Sequence, residues 1–99
     1  MKTTIKIANS LKNANTIIAI IAIINRIIDL MDCDVQSVIK CSDELFAIAC
    51  IKAIRMGQFD KLMFEFPARC KIFLATRGWD WDMIDNCYDD RRWDRFDNC

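Results

Sequence analysis

From Lys12 to Cys33, residues set about 100° apart, as in an α-helix, sort into two unequal arcs. Lys12, Asn15, Ala19, Ala22, Arg26, Asp29 and Cys33 fall on a stripe roughly 100° wide. The bulky Ile17, Ile18, Ile20, Ile21, Ile23, Ile24, Ile27, Ile28, Leu30 and Met31 fill the rest. β-branched residues favour strands, but no two-residue alternation survives across this stretch, so the pattern predicts a helix. An element that is apolar nearly all round is expected at the centre of a bundle. Lys12–Cys33 is therefore expected to be central and almost wholly buried, with Asn9 or Ser10 capping its start.

The same reading extends along the chain. Residues 1–10 alternate at Thr4-Ile5-Lys6-Ile7 with no second strand to pair, and are expected to form an irregular N-terminal arm. Asp34 is placed to cap a short helix, Val35 to Lys40, and Ser42 to cap a second major helix over 43–56. Asp43 and Glu44 suit the positive end of that helix, and Gly57 supplies its C′ residue. Phe59, Leu62, Met63 and Phe66 follow the i, i+3, i+4, i+7 rule, predicting a short helix over 59–65. Pro67 ends it and opens the next segment as a first helical residue, which runs to Arg77 and is closed by Gly78. Residues 79–99 change character: Trp79, Trp81 and Trp93 stand among seven Asp and three Arg. A helix over about 81–96 is expected there, as a Trp/Asp/Arg-rich C-terminal helix or tail.

Together these elements predict one all-α domain over 1–99, a small bundle of four to six helices around the Ile-rich one. Composition agrees. Apolar residues make up 54% of the 99 residues, enough for a core, and two Gly and one Pro are too few for the turns of an all-β fold.

Charge narrows the partners. The net charge is zero, but residues 1–28 carry +4, 29–46 carry −4, 47–78 carry +4 and 79–99 carry −4. No global basic excess marks a nucleic-acid binder, and direct nucleic-acid binding is not expected. The helices expected over 35–40 and 43–56 resemble a helix-turn-helix only in outline, because the second is too apolar to face DNA.

Candidate chemistry is sparse. Without histidine the commonest general base is missing, and nothing marks a cysteine as activated, so no catalytic residue is assigned. The six cysteines lie 8, 9, 20, 17 and 12 residues apart, with no Cys-x-x-Cys, and no metal or cofactor site is expected. They sit in apolar helical runs and are read as reduced thiols of a cytoplasmic protein. Asp80, Asp82, Asp85, Asp89 and Asp90 fail the calcium-loop pattern, since Ile84 holds the fifth place and Asp85 the sixth. Lys2, Lys6 and Lys12 before the Ile/Ala run imitate a signal peptide, yet Asn25 and Arg26 stand where small cleavage-site residues belong. Lys12 and Arg26 bracket thirteen residues, short of the roughly 20 a membrane span needs. The residue types that dominate protein-binding hot spots gather late in the chain. Trp79, Trp81, Arg91, Arg92, Trp93 and Phe96, with Phe66-Pro67, are the candidate partner-binding residues.

The opening Met1-Lys2-Thr3-Thr4-Ile5-Lys6-Ile7-Ala8-Asn9-Ser10, the Ile/Ala helix, the single proline and the overall size resemble the small anti-RecBCD proteins of lambdoid phages. The resemblance implies a non-enzymatic protein that binds the host RecBCD helicase-nuclease on its RecC subunit and alters the response to Chi. It would thereby protect phage DNA ends and redirect recombination. It also implies a host prolyl isomerase as an associated partner, for which Pro67 is the one available proline. The competing expectation is a bacteriocin-immunity or other anti-defence helical binding protein; a third is a peripheral membrane protein using the Ile-rich helix.

Overall fold

The computed structural model describes residues 3–76. Within them run α1 (Thr3–Asn13), α2 (Ile17–Asp32), α3 (Gln36–Arg55), α4 (Phe59–Glu65) and α5 (Pro67–Ala75), and no strand. The described residues are thus all-α. Connections of one to three residues fold each helix back against its predecessor.

The N-terminal arm is helix from Thr3. Thr4, Ile7, Ala8 and Leu11 are its buried positions, the i, i+3, i+4, i+7 stripe of an amphipathic helix. The stripe is concealed in the sequence because its first member is a threonine, fully buried. Asn9 and Ser10 lie inside α1 rather than capping the Ile-rich helix. The Ser10 hydroxyl is engaged within its own helix, donating to the Lys6 carbonyl at 2.9 Å.

The long Ile-rich helix is therefore shorter than its apolar pattern. Thr16 breaks the run with extended backbone, and its Oγ1 accepts the Ala19 N–H at 3.1 Å, a side-chain N-cap. Ile17, Ile20, Ile24 and Ile27 of α2 are buried, a single stripe. Ile21, Ile23 and Ile28 are half-buried, and Ile18 is 76% exposed. Asp34 does not cap the next helix. It is the left-handed residue (φ 59°) that ends α2, where the Asp34 N–H donates to Met31 O and the Val35 N–H to Leu30 O, each at 3.1 Å. That pair of bonds is a Schellman ending, with aspartate in the place glycine usually takes.

The helices expected over 35–40 and 43–56 are one. α3 runs through Ser42, whose hydroxyl donates back to the Ile39 carbonyl at 3.0 Å and so leaves the helix unbroken. Val38, Cys41, Leu45 and Ile48 carry one buried stripe across the expected break. Phe46, Ala47, Ala49, Cys50, Ile51 and Ala53 add a second buried side. α3 packs against all four other helices and is the axis of the bundle. Its end is where the sequence places it. Gly57 takes φ 70°, the Gly57 N–H donates to Ile54 O and the Gln58 N–H to Ala53 O, both at 2.9 Å.

α4 matches its expected span and buries Leu62. Phe59 meets Phe73 of α5 edge to face, with ring centroids 6.1 Å apart. α5 opens on Pro67, as expected, and fully buries only Cys70.

Candidate interaction surface

The α4–α5 junction turns on one residue. Phe66 ends α4, donating its N–H to the Leu62 carbonyl at 2.9 Å, and starts α5 by accepting the Cys70 N–H at 3.0 Å. Proline suits the next position because a first-turn N–H has no helical acceptor. The Phe66-Pro67 bond is trans, as is every peptide bond described. The two residues do different things: Pro67 is exposed, whereas Phe66 is half-buried and packs on the core. Of the expected partner-binding residues the junction thus offers Pro67 outward and Phe66 inward. Trp79, Trp81, Arg91, Arg92, Trp93 and Phe96 lie outside the described residues, as does the expected helix over 81–96.

α5 precedes that segment in the sequence and carries exposed apolar side chains. Ile72 is 55% exposed and Leu74 58%. Between α5 and α3 lies a groove of about 80 Å³ lined by Asp43, Phe46, Arg69, Ile72, Phe73 and Thr76. The Arg69 guanidinium sits 4.7 Å above the centre of the Phe46 ring, a cation–π contact that fixes a positive charge at the groove.

Two further features lie outside the expected partner-binding residues. Lys52 reaches from α3 to the end of α1. Its Nζ donates to the Lys12 and Ala14 carbonyls at 2.9 Å each, and to the Leu11 carbonyl. Leu11 and Lys12 lie in the last turn of α1 and Ala14 just past it, at the helix's negative pole, where carbonyls lack α-helical donors; the Leu11 carbonyl also accepts the Ala14 N–H at 3.3 Å. The other feature is an apolar outcrop where α2 meets α4, formed by Ile18 and Phe64. Phe64 is 85% exposed, as its place off the 59, 62, 63, 66 stripe foretells. Ile18 could not be singled out within an arc of ten bulky residues.

Cys33, Cys41, Cys50 and Cys70 are free thiols. Cys41 Sγ donates to the Ser37 carbonyl at 3.2 Å. Cys50 of α3 and Cys70 of α5 are both buried and interact with each other. Burial pushes both thiols up, and Cys70 beside it adds to the rise at Cys50. Both are therefore protonated at neutral pH and poor nucleophiles.

Among the described residues no group of three His, Cys, Asp or Glu could hold a metal ion, and no helix is long and apolar enough to cross a membrane. No protein family, curated protein or solved structure matches this chain.

Proposed function

We propose that the protein is a non-enzymatic, phage-encoded modulator of the host RecBCD helicase-nuclease, acting in the host cytoplasm through RecC to alter the response to Chi. The observation that carries a binding role is the exposure of Pro67, Ile72 and Leu74 on α5, which the Trp- and Arg-bearing residues 79–99 follow in the sequence. Exposed apolar side chains, Trp and Arg are the residue types that protein-binding surfaces use. The choice of RecBCD as partner rests on the resemblance of Met1–Ser10, the Ile/Ala helix, the lone proline and the size.

Affinity capture from host lysate with the full chain as bait tests this, with mass spectrometry as the readout. RecB, RecC and RecD are expected together, with recovery falling in Trp81→Ala, Trp93→Ala and Ile72→Asp while the helical circular dichroism signal persists. Recovery of a toxin or another defence effector in their place would assign the protein to the immunity class. Pro67→Ala in the same experiment is expected to keep RecBCD and lose the prolyl isomerase; equal isomerase recovery removes Pro67 from that contact.

A further inference from the structure

The outcrop between α2 and α4 is separate from the α5 face and has a charge pattern of its own. Ile18 and the half-buried Ile21 on one side, and Phe64 on the other, line an open cleft of about 450 Å³. Asp60, Lys61 and Glu65 surround it. None of these three makes a side-chain ion pair within the described residues. A rim of one sign would select a partner of the opposite sign and repel a second copy. This rim carries both signs, and Lys61 and Glu65 lie one helical turn apart on α4.

We propose that this face is the interface of a homodimer. A two-fold contact brings each patch onto its own copy, so residue i meets j and j meets i. When two α4 helices lie antiparallel about an axis midway between Lys61 and Glu65, Lys61 of each copy stands opposite Glu65 of the other. The same axis brings the two Phe64 rings together near the centre, and the Ile18 side chains cover the flanks. The apolar centre supplies the attraction and the two crossed ion pairs set the direction. Ile18 and Phe64 are the exposed large apolar side chains of this face, so the dimer is expected to be a reversible one that dissociates on dilution.

Sedimentation equilibrium of the full chain over a concentration series is the test. The wild type is expected to show a concentration-dependent monomer–dimer equilibrium. Phe64→Asp and Ile18→Asp, both at exposed positions, are each expected to raise the dissociation constant about tenfold or more with unchanged circular dichroism. Lys61→Glu alone and Glu65→Lys alone are expected to weaken the dimer by placing like charges opposite each other. The double exchange Lys61→Glu/Glu65→Lys is expected to restore it. A monomer up to millimolar concentration overturns the proposal, as does association that survives both Phe64→Asp and Ile18→Asp. A double exchange no better than its two single variants overturns the antiparallel geometry.

Discussion

α2 consists of Ile, Ala, Leu and Met around Asn25, Arg26, Asp29 and Asp32, whereas α3 carries Lys40, Asp43, Glu44, Lys52 and Arg55. Yet α2 buries four of its 16 residues and α3 eleven of its 20. The more hydrophobic helix is the less buried one. What separates them is the number of sides on which each has neighbours. α3 is in contact with α1, α2, α4 and α5, and Ala47, Ala49, Cys50 and Ala53 let those helices come close. α2 turns one stripe of isoleucines inward, and its surplus apolar residues end up at the margin or, at Ile18, in solvent. Hydrophobicity measures what a helix could bury; topology decides what it does bury.

Single substitutions can break this contrast. The largest effect is expected from Ile20→Asp in α2 and Ile48→Asp in α3, each placing a carboxylate where no water reaches. Either should unfold the protein, because the cost of several kcal/mol approaches the whole stability of a small domain. Ile18→Asp, two residues from Ile20, should cost less than about 0.5 kcal/mol. Ile21→Asp, at a half-buried site, should fall between them. Urea titrations of the four variants check the order, and equal losses at Ile18 and Ile20 would show α2 to be enclosed on both sides.

The next expected effect concerns how α3 holds its neighbours. Lys52→Met keeps most of the side chain's apolar length and removes the amine from the α1 carbonyls. A loss of about 2 kcal/mol is expected, the scale of charge-assisted hydrogen bonds. Hydrogen exchange should locate it in α1, leaving α4 and α5 as protected relative to the global transition as before.

The α3–α5 contact responds to pH. Since burial raises the Cys50 and Cys70 thiols in the folded protein, both states hold these protons below the ordinary thiol range. As pH rises through that range the unfolded chain ionises first, so folding stability falls. The loss is expected to reach up to about 1.4 kcal/mol per pH unit for Cys50. Urea midpoints measured on both sides of pH ~9 should diverge in the wild type, and less so in a Cys50→Ala/Cys70→Ala variant.

The smallest effect is a gain. Asp34→Gly relieves a left-handed backbone at the end of α2 and should stabilise the fold by about 0.5–1 kcal/mol, read as a higher melting temperature.

Much of this architecture was legible from period and punctuation. The helical class, the span of α4, the Gly57 ending and the place of Pro67 follow from local rules that the fold obeys. The misplaced helix boundaries share a cause: a polar residue satisfied in an unexpected way. Thr4 is a core residue, Ser42 bonds back along its own helix, Thr16 caps inside an apolar run, and Asp34 occupies a glycine's conformation. At the candidate surface, Pro67 and Phe64 could be placed outward from spacing alone. Lys52 could not be assigned to α1, because its acceptors lie about 40 positions away in the chain.

That separation has a consequence in time. Leu11 and Lys52 are 41 residues apart, and a ribosome adding about 5–20 residues per second needs about 2–8 s to make the second after the first. α1 has 11 residues, fewer than the roughly 12–15 at which an isolated helix becomes even marginal in water. α1 therefore waits as unstructured chain for the last turns of α3, and the helix made earlier is completed by a side chain made seconds later.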